Sequence, residues 1–230
     1  MGNGKLLNNE EFDNGNTDTH VVLNGIQSKL SKAIRNPMKE YYVTFAGDMR
    51  VPINPNFRMA ATGNTDCKGE NEVYSARGRV DESVQDRLVP KLFLYDNRVE
   101  ERILKNAPGW YKVFCDFREA CLEYASGIGQ EFAQGMGTTR DADDIARYLS
   151  HNSKSVSQII NEKFVQTKDA QYLKHIRDYI IREYSLPNNI SSDPCASKSS
   201  GLGRLQDKEV AGSLAYGCNE AILRLEPKKK

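Results

Sequence analysis

The segment Pro55-Asn-Phe-Arg-Met-Ala-Ala-Thr-Gly-Asn64-Thr65 carries the most specific chemical pattern in this 230-residue sequence. A compact apolar run, Phe57 to Thr62, leads into the polar amide of Asn64. That order predicts a buried strand running into a polar loop. A strand of this kind presents its last side chain at the carboxyl edge of a sheet, where open α/β sheets bind ligands. An amide there can orient a water or touch a phosphate oxygen. The same residues also fit a strand followed by an Asn-capped turn.

Other chemistries are poorly supported. Cys67, Cys115, Cys121, Cys195 and Cys218 form no C-x-x-C pair, which argues against a zinc ribbon or a thioredoxin motif. Free thiols in a reducing compartment are the simpler reading. His20, His151 and His175 are too far apart to announce a metal site. Lys and Arg total 32 against 31 Asp and Glu, a net charge of +1 that excludes a generic polycation for nucleic acid. The cations Lys154, Lys163, Lys168, Lys174, Arg177 and Arg182 are interleaved with acids, as on an ordinary solvated helix face. No apolar stretch approaches the length of a membrane span, and the first ten residues lack a signal-peptide core.

The elements that must position these residues can be read from periodicity. Val22, Ile26, Leu30 and Ile34 predict a helix stopped by Asn36-Pro37. Tyr41–Phe45 and Met49–Ile53 predict a hairpin around Ala46-Gly47-Asp48, with Pro52 confining the second strand to an edge. Residues 66–79 read as a loop, Val80–Leu88 as a short helix, Lys91–Tyr95 as a strand and Arg98–Leu104 as a helix ended by Pro108-Gly109. A longer helix follows through Phe114, Phe117, Cys121, Leu122 and Ala125. Thr138-Thr139 can cap a helix from Arg140, and Leu173, Ile176, Ile180 and Tyr184 mark another. Residues 186–204 read as a flexible linker and Pro227–Lys230 as a tail, with an untyped ordered element over Leu205–Leu225. The expected organisation is α/β up to about residue 105 and all-helical from about 110 to 184. Alone, Arg87 beside Asp86 reads as a surface ion pair, and Arg140 as a solvated helix start.

Asn56-Phe-Arg-Met-Ala-Ala-Thr-Gly-Asn-Thr65 resembles the sensor-one strand of AAA+ ATPases, most closely the MoxR-like group that includes the cobaltochelatase ATPase subunit. Further pieces follow in that family's order. Glu10-Glu11-Phe12-Asp13-Asn14 is similar to the acidic Walker B end, and Val22–Ile26 to the helix after it. Val80-Asp-Glu-Ser-Val-Gln-Asp-Arg-Leu88 is similar to the helix ending in Asp-Arg-Phe, and Leu92–Tyr95 to the next strand. Gly137-Thr-Thr-Arg-Asp141 is similar to the Ser-x-Arg start of the lid helix. The likeness covers about residues 6–184.

The resemblance implies a partial P-loop NTPase core over residues 1–107, a helical lid over 108–185, and a linker and tail over 186–230. It implies ATP and Mg²⁺ as cofactors. Asn64 would position the attacking water, Glu11 would polarise it, and Glu10 would hold Mg²⁺ through waters. Arg87 would be the arginine finger offered to a neighbouring subunit, a role typically worth about 10³–10⁵ in rate. Arg140 would be the sensor-two arginine that links the lid to the nucleotide. The hairpin would face the ring pore or a partner.

No G-x-x-x-x-G-K-[ST] sequence is present to cradle the phosphates. The implied nucleotide-binding half would lie before Met1. The expectation is the C-terminal portion of a cytoplasmic ring ATPase that remodels a partner protein, with a P-loop supplied elsewhere. The alternative is a non-catalytic interaction module that docks on ring subunits.

Overall fold

The computed structural model describes residues 5–15, 17–63, 68–70, 78–89, 91, 95–130, 133, 135–195 and 202–226. The chain is mixed α/β. It divides into two compact units, Met1–Phe93 and Leu94–Lys230.

In the first unit, β1 (Leu6–Asn9) pairs in parallel with β4 (Arg58–Ala61). Leu6 stands opposite Arg58 and Asn9 opposite Ala61. Between them lie α1 (Thr17–Arg35) and an antiparallel hairpin of β2 (Tyr42–Thr44) and β3 (Arg50–Pro52). The hairpin turns at Ala46–Asp48, where Gly47 takes the positive φ of 75° that glycine accepts at no steric cost. The one-turn helix α2 (Glu82–Gln85) follows.

The buried face of α1 is Leu23, Ile26, Leu30 and Ala33, joined in one cluster by Phe12, Ile53, Phe57, Val80 and Val84. Val22 and Ile34, expected on that face, are exposed. A strict four-residue spacing advances about 40° per step beyond a full turn, so it walks off the core within three steps. The strand expected to be buried is buried only in part. Phe57 and Met59 belong to the cluster, whereas Arg58, Ala60 and Ala61 are exposed. Among the described residues β4 has a single pairing partner, and one of its faces carries the packing. The expected strand Lys91–Tyr95 and loop 66–79 lie largely outside the described residues.

The second unit is helical. It comprises α3 (Asn97–Ile103), α4 (Pro108–Gly127), α5 (Thr139–His151), α6 (Val156–Ile160), α7 (Ala170–Glu183) and α8 (Asp207–Leu225). Asn161–Val165 continues α6 as a π-turn. Pro108 does not end a helix but opens α4, because the first helical turn has no use for the N–H that proline lacks. Trp110, Phe114 and Phe117 of α4 pack with Phe164, Leu173, Ile176, Ile180 and Leu214 in one core.

Residues 186–230 are not simply a linker and tail. Val210, Ala211, Leu214, Ala215 and Cys218 of α8 are fully buried in that core. The Trp110 indole donates to the Leu202 carbonyl at 3.0 Å and ties down the approach to α8. The tail Pro227–Lys230 lies outside the described residues.

Candidate functional site

The carboxyl ends of β1 and β4 form one edge. The Thr62 N–H donates to the Asn9 carbonyl at 3.0 Å, and the Phe12 N–H donates back to the Thr62 carbonyl at 2.7 Å. The ladder therefore continues past both strands. It carries Glu10 and Glu11 from one side, and Thr62 and Gly63 from the other, to the same end of the sheet. Asn64, the next residue, lies outside the described residues.

Glu10 and Glu11 are both exposed at this edge. The Asn8 amide donates to the Glu10 carboxylate at 3.4 Å. Glu11 has φ 51° and ψ 45°, a left-handed conformation that costs a non-glycine residue about 1–2 kcal/mol. Asp48, Asn152 and Ser185 share this left-handed conformation at other turns and helix ends.

Two residues given no role by the sequence lie beneath this edge. Asp13 is fully buried, and a Cβ on Gly63 would sit 3.2 Å from its carboxyl carbon. A larger residue at 63 would press on the Asp13 carboxyl and require it to shift by a few tenths of an ångström. His20 is 5% exposed, and its Nε2 lies 2.9 Å from the Phe12 carbonyl. A carbonyl only accepts, so Nε2 carries the proton. The His20 ring also packs on Phe12 with centroids 4.7 Å apart. Asp13 was legible as part of the acidic run, but nothing local marked it as buried.

Arg87 is exposed, just beyond α2. Its guanidinium donates to the Ser83 carbonyl. The Asp81 carboxylate caps α2 by accepting from the Ser83 N–H at 2.8 Å, and its bonds to Ser83 hold the carboxyl below its usual range. The segment is tied to the acidic edge, since the Gly78 N–H donates to the Asp13 carbonyl at 3.2 Å. It is tied to α1 as well, since the Asn24 amide donates to the Ser83 hydroxyl at 3.2 Å.

Arg140 belongs to the second unit and is exposed in the first turn of α5. The helix start around it is firmly built. The Thr138 N–H donates to Asp141 at 2.8 Å, and the Asp141 N–H donates back to the Thr138 hydroxyl at 3.3 Å, a capping box. The Thr139 hydroxyl donates to Glu100 at 2.6 Å, and Arg118 pairs with the same Glu100 oxygen at 3.0 Å. Burial pulls the Glu100 carboxyl upward, but the bonds from Thr139 and Arg118 outweigh it and hold it below its usual range. Lys163 bridges Asp141 at 3.3 Å and Asp144 at 2.6 Å. Burial works against the Lys163 charge, yet the two carboxylates raise its pKa above the ordinary lysine value.

Of the residues singled out by sequence, Glu10 and Glu11 stand together at the sheet edge. Arg87 hangs from that edge through Gly78 and α1. Arg140 stands in the separate helical unit. Among the described residues, no group of three or more His, Cys, Asp or Glu side chains could hold a metal ion alone. Mg²⁺ at a nucleotide site asks less of the protein, since one or two carboxylates suffice beside phosphate oxygens and water. Glu10 fits that demand. No described helix is long and apolar enough to cross a membrane.

No family model, curated protein or solved structure matches the chain.

Proposed function

We propose that this chain is the C-terminal portion of a MoxR-like AAA+ ATPase. It works in the cytoplasm as a subunit of a homo- or hetero-oligomeric ring and remodels a partner protein, with the P-loop supplied elsewhere. The supporting observation is the parallel β1–β4 pairing, whose register brings the acidic pair and the Thr62–Gly63 end to one sheet edge. Water activation by a carboxylate and water positioning by an amide require that proximity.

In this reading Glu11 takes the proton of the attacking water and Asn64 holds that water in line. Glu10 would hold Mg²⁺ through waters, and the ion would supply charge to offset that of the phosphates. Arg87 serves the nucleotide of the adjacent subunit. Its exposed position, with the guanidinium on the Ser83 carbonyl, suits a cation that must cross an interface. Arg140 is the lid cation for the nucleotide, carried on a helix start anchored by Thr138 and Thr139.

The purified chain alone is expected to release no phosphate from ATP. Added to a MoxR-like ring ATPase whose own finger arginine is replaced by alanine, it restores turnover, and Arg87→Ala removes the rescue. Turnover by the isolated chain would overturn the incomplete-site reading. Binding to the ring without rescue would favour a non-catalytic interaction module.

A further inference from the structure

Given the finger role proposed for Arg87, the geometry points to Asn24 as the residue that aims it. The helix that precedes Arg87, α2, has only one turn. One turn has too little internal cooperativity to hold its own orientation. Val84 sets its depth in the core. Among the described residues, two polar ties from outside the segment bear on its rotation and tilt. These are the Asp13 carbonyl on the Gly78 N–H and the Asn24 amide on the Ser83 hydroxyl, each at 3.2 Å.

Ser83 is the hub. Its hydroxyl receives Asn24 and its carbonyl receives the Arg87 guanidinium. Asn24 and Arg87 are thus held by two groups of one residue. Both outside ties also originate in the stretch that follows Glu10 and Glu11. Asp13 lies in the acidic run, and Asn24 lies on α1, whose 19-residue helix begins at Thr17. A shift at the acidic edge passes through α1 to Ser83, and from there to Arg87. Asn24 is a positioning residue that couples one subunit's acidic edge to the finger it offers its neighbour.

A second feature separates Asn24 from an ordinary packing residue. Its own carbonyl oxygen is buried with no hydrogen-bond partner. An aliphatic side chain would avoid that desolvation cost. What an aliphatic residue cannot supply is the donor to Ser83.

The test uses the full chain mixed with a MoxR-like ring ATPase lacking its own finger arginine, with phosphate release followed against ATP concentration. Asn24→Ala and Ser83→Ala are each expected to lower the rescued kcat by about tenfold to a hundredfold, as small misplacements of a reacting group do. KM for ATP should stay within about twofold, because ground-state binding is untouched. Their melting temperatures should match that of the parent chain. Exchanging the two side chains, Asn24→Ser with Ser83→Asn, keeps the amide–hydroxyl pair and should restore kcat. Unchanged kcat in Asn24→Ala, alongside lost turnover in Arg87→Ala, overturns the aiming role alone. No rescue by the parent chain, or full rescue by Arg87→Ala, overturns the finger reading and the aiming role with it.

Discussion

The guanidinium of Arg118 lies 3.0 Å from the carboxylate of Glu100, and their side chains are only 6% and 0% exposed. Arg118 also donates to the Gly137 carbonyl and the Asn97 amide oxygen, each at 3.1 Å, and lies over the Tyr95 ring at 4.6 Å. One buried pair therefore joins α3, α4 and the start of α5.

Breaking this pair from one side leaves an uncompensated buried charge. Arg118→Met is expected to destabilise the helical unit by about 3–5 kcal/mol. A urea titration followed by far-UV circular dichroism measures it. The Glu100 carboxyl is held below its usual range. Its contribution is fully present above the unfolded carboxylate pKa and is lost as pH falls through the folded value. Glu100→Gln should flatten that acid limb of the stability curve; an unchanged limb would assign it to other carboxylates.

Lys168 presents the opposite case. It is 6% exposed, and its amine has no hydrogen-bond partner among the described residues. Its charge lies over the Phe117 ring at 4.7 Å. Asp141, the carboxylate that favours its charge, is already engaged by Lys163 and Thr138. Burial pushes the Lys168 pKa below its ordinary value of 10.5. The folded state then releases its proton more readily than the unfolded state. Stability is reduced below the folded pKa and recovers as pH rises towards the unfolded value. Lys168→Met should stabilise the unit by about 1–3 kcal/mol at pH 7 and remove that alkaline gain. Urea midpoints at neutral and alkaline pH test both parts.

Gly109 lets α4 lie close against the backbone at the start of α8. A Cβ there would collide with the Leu205 carbonyl and stand 2.7 Å from the Asp207 nitrogen. Both obstacles are backbone, so neither can turn aside. Gly109→Ala is expected to cost about 3 kcal/mol through overpacking, against the usual gain from alanine in a helix. Thermal melting of the variant would show the sign directly.

Thr138 stops α5 from fraying next to Arg140. Thr138→Ala removes one half of the capping box and should cost about 1 kcal/mol. Thr138→Asn, which restores a cap, should recover most of it. If hydrogen exchange in the first turn of α5 stays the same in the alanine variant, the Thr139–Glu100 bond carries the helix start instead.

Local signals were legible wherever one residue acts on its near neighbours. The Thr138 cap, the hairpin at Ala46–Asp48 and the helix of Leu173, Ile176 and Ile180 all stand as read. Pro108 was misread because proline both ends and begins helices, and its sign depends on which side the helix lies. The helix α8 was hidden by small residues. Gly212 lies against Pro194, and Gly217 against Ile160, so the helix buries close backbone contacts where an apolar stripe would otherwise announce it. The approach to α8 looked like a linker because its order is imposed from outside. Asp193 accepts from Ser157 of α6 and Ser213 of α8, and also from the Cys195 N–H at 2.9 Å.

By itself, the sequence determined the stop of α1 at Asn36-Pro37, the capped start of α5, the hairpin, and the ordered residue types that motivate the ATPase reading. These depend on hydrogen bonds and side-chain periods spanning a few residues. Tertiary structure alone decided that Leu6–Asn9 lies beside Arg58–Ala61, that Asp13 is buried against Gly63, and that Glu100 meets Arg118. A carboxylate or an amide looks the same in the chain whether it is solvated or buried. Only the fold brings up the distant partner that makes burial tolerable, so such pairs leave no local periodicity to read.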